Sequence, residues 1–299
     1  MTVASADPTS APAPAPAPAL SAADVAGKTQ LDLRGRGDGD ALARALAAMP
    51  EAASLVAIDL GQDKLGDDGA RALAGSPHLA ALESLRLDAN AIGPAGVRAL
   101  FRSKHLPRLV ELDLSGNPLG DAGAKAIANA PLALRLRTLK LGFALIEAAG
   151  AEALAASRFD KLTELSLADN QFGAAGLRHL ACAPRMPQLA ALVLDGNSLD
   201  DAAMKTIATA RSFGHLASLS LASNRIGSAG AQALAAARSL PKLTSLNLAY
   251  NRVDDAAARA LADGKALAHL ARVDVTGSEV TEAGAAALRA RFGAGAVGP

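Results

Sequence analysis

Five histidines and one cysteine are the side chains of this 299-residue chain best suited to proton transfer, nucleophilic attack or soft-metal binding. His78, His105, His179, His215 and His269 stand singly, mostly in links between apolar segments. Their spacing neither gathers metal ligands nor sets a base beside a nucleophile. Cys182 lies near a predicted helix end without a partner identifiable in the sequence; as the sole cysteine it cannot form an internal disulfide, and it fits a reducing compartment. No glycine-rich phosphate motif of the P-loop kind occurs. The residue types therefore point away from an enzyme and imply no cofactor or metal.

What remains is recognition by surface groups, and those groups recur on a beat. Asn90, Asn117, Asn170, Asn197, Asn224 and Asn251 each follow a Leu-x-Leu pair by five residues. The first residues of the pairs are Leu31, Ile58, Leu85, Leu112, Leu139, Leu165, Leu192, Leu219, Leu246 and Val273, spaced by 27 residues apart from one step of 26. Ten units thus fill residues 29–292, between a leader over 1–28 and a short flexible tail over 293–299. Self-similarity at this period marks a solenoid in which stacked units share one core.

Within a unit, Leu85 and Leu87 alternate with Ser84, Arg86 and Asp88, the period-two pattern of a strand with one buried face. An asparagine then breaks the strand, and its amide can satisfy backbone groups of its own turn and of the next unit, forming a structural ladder. Apolar residues next recur at helical spacing, as in Ala70, Leu73 and Ala74, which predicts a helix of about ten residues. Gly69, Gly96, Gly123, Gly150, Gly176, Gly230 and Gly284 recur near the helix start, where a missing Cβ permits close approach to the strand layer. Strands pack about 4.8 Å apart and helices about 8–10 Å apart, so the slab must bend. The expected fold is an α/β solenoid, a horseshoe with parallel strands on the concave face and helices on the convex face.

Three columns of charge follow from this layout. The convex helices carry Arg44, Arg71, Arg98, Lys125, Glu152, Arg178, Lys205 and Arg259, with Asp40, Asp67, Asp121, Asp201 and Asp255 four residues before several of them. That spacing predicts self-neutralising pairs at i,i+4, so no nucleic-acid stripe is expected. On the concave wall Asp59, Arg86, Asp113 and Lys140 alternate in sign, while the other positions are mostly Ser, Ala, Gly and Asp. With 30 basic and 29 acidic residues, no global field draws the chain to polyanions.

The unit at Leu139 is irregular. Ala144 replaces the ladder asparagine, Glu147 the turn glycine, and Phe143 stands at the mouth of the turn. Two readings fit: drift at a tolerated position, or a local kink that presents Lys140 and Phe143 to a protein partner, flanked by Arg86, Glu111, Asp113 and Glu164, with Tyr250 as a second aromatic on the same rim. Residues 1–27 contain no Lys or Arg, and the run Ala11–Pro18 alternates Ala with Pro, so a secretory signal is absent and the leader reads as disordered or polyproline II. No run of about 18 apolar residues predicts a membrane span. A monomer in the cytoplasm, or exported without a cleaved signal peptide, is the expected state.

The pattern Leu-x-x-Leu-x-Leu-x-x-Asn-x-Ile/Leu resembles leucine-rich repeats. Gly69–Ala74, Gly150–Ala155 and Gly230–Ala235, each reading Gly-Ala-x-Ala-Leu-Ala, make the units similar to the ribonuclease-inhibitor class and to bacterial GALA-type repeat proteins. This resemblance implies a non-enzymatic protein-binding scaffold. The GALA likeness further implies an effector delivered into a host by type III secretion, although residues 1–30 are too short and Pro-rich for the F-box those proteins carry. Relatives with this repeat length also include regulators or inhibitors of a GTPase or nuclease.

Overall fold

The computed structural model describes residues 20–128, 130–183 and 186–293. Ten three-residue strands form one parallel sheet in sequence order: β1 Gln30–Asp32, β2 Ala57–Asp59, β3 Ser84–Arg86, β4 Glu111–Asp113, β5 Thr138–Lys140, β6 Glu164–Ser166, β7 Ala191–Val193, β8 Ser218–Ser220, β9 Ser245–Asn247 and β10 Arg272–Asp274. After the short α1, Ala22–Val25, one helix follows each strand: α2 Gly39–Ala48, α3 Asp67–Gly75, α4 Pro94–Phe101, α5 Gly120–Ile127, α6 Ala148–Ala156, α7 Gly173–Ala181, α8 Asp201–Thr209, α9 Ser228–Ala235, α10 Asp255–Asp263 and α11 Glu282–Phe292. The helices stack on their neighbours outside the sheet, giving an α/β horseshoe.

Register is uniform. Leu31 pairs with Ile58, Leu112 with Leu139, Leu139 with Leu165, and so on to Leu246 with Val273. The 26-residue step therefore leaves the sheet intact. It is absorbed in the link between Ala156, the end of α6, and β6. The buried Leu, Ile and Val of all units form one continuous core, to which each contributes about 1.5–3 kcal/mol when fully buried. The ends are closed differently. Residues 20–28, part of the expected leader, bury Leu20 and Val25 against the first unit, whereas residues 1–19 and 294–299 lie outside the described residues. At the other end Arg291 donates to the carbonyls of Leu261, Ala262, Gly264 and Leu267.

Side-chain bonds join each unit to the next. Asn90 Oδ1 accepts from the N–H groups of Asp63 and Leu65 at 3.0 and 2.8 Å, and its Nδ2 donates to Leu60 O and Leu87 O. Asn117, Asn170, Asn224 and Asn251 repeat the arrangement. Asn197 donates to Leu167 O, but its Oδ1 is buried without a protein partner. Where Ala144 interrupts the series, no side-chain oxygen meets Leu119 N–H. That group turns back to Asn117 O at 2.8 Å, and Gly120 takes φ +55°, donating to Ala144 O. A left-handed conformation at this point is what glycine supplies at little cost.

A second ladder runs along the helix starts, and it corrects the expected i,i+4 pairing. Asp40 Oδ1 accepts from Gly66 and Gly69 of the next unit, Asp67 from Gly93 and Gly96, Asp121 from Glu147 and Gly150, Asp201 from Gly227, and Asp255 from Thr281, all at 2.7–2.9 Å. These aspartates cap the following unit's helix, satisfying amides that a helix start leaves free. Among the described residues none makes an ion pair with the base four positions on; Arg71 instead meets Asp68 at 2.5 Å. The same contact explains most of the recurrent glycines; at Gly123 and Gly176, where Pro94 and Ala148 stand in place of the aspartate, a Cβ would instead meet the side chain of Leu119 or Phe172. A Cβ on Gly69 would lie 2.5 Å from Asp40 Oδ1, and on Gly96 2.7 Å from Asp67 Oδ1. Where the preceding unit holds Ala174 or Ser228 instead, the helix caps itself through Asp200 or Asp254, and Ala203 or Ala257 stands in place of the glycine.

Asp63 occupies the ladder position of the second unit. It is fully buried, its Oδ1 accepts from Gly37 N–H at 2.9 Å, and its Oδ2 has no protein partner. Burial pushes its carboxyl above the usual carboxylate range, against the opposing Gly37 and Arg36 amides. The folded state thus holds this proton more tightly than the unfolded chain. Stability from the protonated acid is present below the unfolded pKa of about 3.9 and is lost as pH rises through the higher folded value. Asp63→Asn restores the amide, so urea unfolding should show a gain of about 1–3 kcal/mol at neutral pH that shrinks toward about pH 4. The opposite change, Asn224→Ala, should lower the unfolding free energy by a similar amount, about 1–3 kcal/mol, read as a lower urea midpoint at unchanged slope.

Candidate functional site

Side chains at the two outward positions of each strand face the concave wall. Strand order places Arg86 on β3, Glu111 and Asp113 on β4, Lys140 on β5 and Glu164 on β6, so these five sit on four neighbouring strands. Arg86, Glu111, Asp113 and Lys140 line a shallow depression of about 50 Å³ together with Ser84 and Thr138. Lys140 Nζ stands 3.8 Å from Glu164 Oε1, both side chains remaining partly exposed, so the pair is a weak one. The expected alternating compensation holds only in part. Asp59 meets Arg86 at 3.8 Å and Arg34 at 3.4 Å, whereas Asp113 turns to the Ser115 amide of its own turn.

Arg34 was not singled out by sequence reasoning, yet it anchors the wall's first three units. Its guanidinium grips Asp88 with two bonds of 2.6 and 2.9 Å, reaching from the first unit to the third across Gly61. The Asp88 hydrogen bond leads the forces that raise the Arg34 pKa further above its usual value. The sequence signal available was Gly61, the residue that leaves room above the second strand.

The rim at the strand exits explains the aromatic residues. Gln62, Ala89, Phe143, Asp169, Ser223 and Tyr250 all have positive φ, as do Gly35, Gly116, Gly196 and Gly277 at the same position of the other units. Each unit thus turns through one left-handed residue after the strand, and that residue's side chain is thrown outward. Phe143 is 63% exposed and Tyr250 64%. Leu145, two residues beyond Phe143 and also left-handed, is 55% exposed and extends the apolar patch; sequence reasoning did not identify it. Tyr250 is not brought to this patch. It lies four strands away on β9's turn, its ring against Gly277.

His215 Nδ1 lies 3.1 Å from Lys242 Nζ, and Cys182 is exposed at the end of α7. Among the described residues no group of three His, Cys, Asp or Glu is placed to hold a metal, and no helix is long and apolar enough to cross a membrane.

The Leucine Rich repeat family model matches residues 105–128, 161–181, 215–235 and 239–262. The chain is a leucine-rich repeat protein. No curated protein sequence matches it. Among solved structures, a Bacteroides fragilis protein superposes with TM-score 0.56 at 17% identity, over 80% of this chain and 71% of that one. Two internalins of Listeria monocytogenes also match: inlF, with TM-score 0.44 and 17% identity over 90% of this chain and 87% of its own, and internalin C2, with 0.41 and 21% over 79% and 77%. At such identities the Bacteroides likeness speaks for the fold of this leucine-rich repeat chain.

The left-handed residue at 143 separates structural from binding roles. A non-glycine residue there costs about 1–2 kcal/mol of backbone strain. Phe143→Gly should therefore raise the thermal midpoint or leave it unchanged, while Phe143→Ala should not raise it, as read by calorimetry on both variants.

Proposed function

We propose that this leucine-rich repeat protein is a non-enzymatic scaffold whose concave wall docks a protein partner around Lys140 and Phe143. The observation that carries this reading is the exposed pair Phe143 and Leu145 beside the charged depression on β3 to β5. Apolar groups held outward at the rim of a polar wall combine an anchor with electrostatic selection, the usual division of labour in an interface. Arg86, Glu111, Asp113, Lys140 and Glu164 would set orientation and on-rate more than affinity. Tyr250 would act only with a partner broad enough to cover four further units.

The rest of the wall is small and polar. Ser166, Ser218, Ser220, Ser245 and Asn247 offer hydrogen bonds without bulk, so the partner must bring its own large side chains. The modest affinity this implies suits reversible association.

Crosslinked capture from cell lysate, with the intact chain against a Lys140→Glu, Phe143→Ala, Leu145→Ala variant of matching circular dichroism, tests the reading. Loss of a partner protein by about tenfold or more in the variant is the expected result. Identical capture by both chains would remove the concave wall as the binding surface.

A further inference from the structure

One surface of the horseshoe is left unused by this reading: the edge where the chain enters each strand. Four residues before the first leucine of successive units stand Arg108, Arg135, Lys161 and Gln188, and Arg137 lies two before Leu139. The structure gathers them. A cavity of about 370 Å³ is lined by Arg108, Arg135, Arg137, Lys161, Glu83, Pro107 and Val110, and a second of about 430 Å³ by Arg137, Lys161, Thr163 and Gln188. Because Arg137 and Lys161 line both, the two cavities adjoin as a groove from the third to the seventh unit, and among the described residues that line it four cations face the one carboxylate of Glu83.

Arg135 is a partly desolvated cation without a carboxylate partner among the described residues. One guanidinium nitrogen, Nη2, donates to Leu106 O at 3.0 Å, while Nε is buried and bonded to nothing in the protein. Desolvation holds its pKa below the ordinary arginine value. An anion seated in the groove would supply the missing counter-charge to the guanidinium, although the enclosed Nε stays out of its direct reach. Asp160, next to Lys161 in the chain, is already paired with Arg158 at 2.8 Å.

We propose that this strand-entry groove binds an extended acidic segment of a protein partner. Cations from neighbouring units repeat at roughly the strand spacing of about 4.8 Å, and side chains on one face of an extended peptide recur at about 6.6 Å, so a short run of Asp or Glu can meet several of them at once. No Phe, Tyr or Trp lines the groove among the described residues, so bases would find no aromatic ring to stack on. The inference rests on the reading of the chain as a protein-binding scaffold and adds a second contact on the opposite edge from Phe143.

Fluorescence anisotropy with a labelled octaglutamate peptide, on the full chain at low salt, tests it. Octaglutamate should bind and octaglutamine should not. Arg137→Glu with Lys161→Glu should weaken binding by about tenfold or more, whereas Arg44→Glu with Lys125→Glu, an equal charge change on the convex helices, should alter it by less than about twofold. Equal loss in both double variants would reduce the effect to net charge and overturn the proposal. So would tighter binding of an eight-nucleotide oligouridylate, which would assign the groove to phosphate backbones. Lys140→Glu should leave octaglutamate binding intact, so failure of the groove and failure of the concave wall are read separately.

Discussion

Most leucine-rich repeat units here end their strand with backbone groups that the strand can no longer satisfy, and a side chain from the neighbouring unit satisfies them. That constraint orders the rest of the molecule. Parallel three-residue strands are too short to hold register by themselves, and the apolar core is chemically similar from unit to unit, so it would tolerate slippage. The asparagine amide cannot: it must meet particular N–H and C=O groups one unit away, as Asn90 meets Leu65 and Leu60. On the helix side Asp40, Asp67, Asp121, Asp201 and Asp255 do the same with a single carboxylate oxygen. Hydrophobic burial makes the stack favourable, and these two ladders make it single-valued.

The candidate binding surface grows out of the same constraint. Turning from strand to ladder requires one left-handed residue per unit, and glycine fills that position in several units. Phe143 and Tyr250 fill it in two others, at a cost in backbone strain that buys nothing for the core, since both rings are exposed. Strain retained at an exposed aromatic is an observation from which a functional hypothesis can reasonably start. In the unit of Phe143 the ladder asparagine is also missing; the preceding turn closes through a left-handed Gly120, as the turn before Asn197 does through Gly173, and the strands of the wall are undisturbed.

Much of this was legible in the sequence, because the leucine and asparagine beats report two short-range requirements directly: which face is buried, and where the strand stops. Strand order, helix placement and the solenoid followed from them. The helix-start aspartates were misread, since Asp40 and Arg44 have the spacing of a local pair while the true contact of Asp40, with Gly66 and Gly69, spans a unit. The coincidence of Asp in one unit with Gly in the next carried that signal. Asp63 escaped notice as a ladder member because a carboxylate replaces the amide, and Leu145 because its φ cannot be read from its neighbours. Arg34 and the basic strand-entry groove lie at positions outside the strand and helix columns, where charge aligns only once the units are stacked.

Residue-resolved amide hydrogen exchange on the intact chain addresses the central claim most directly. If side-chain ladders lock unit to unit, the loop amides of Leu65, Ile92, Leu199 and Ile226, which donate to ladder asparagines, should exchange as slowly as strand amides, and Gly66, Gly93 and Gly227 should follow through their aspartate acceptors. Leu119, bonded only within its own turn, should exchange faster. Exchange of all these loop amides at one rate typical of exposed turns, with protection confined to the strands, would contradict the account.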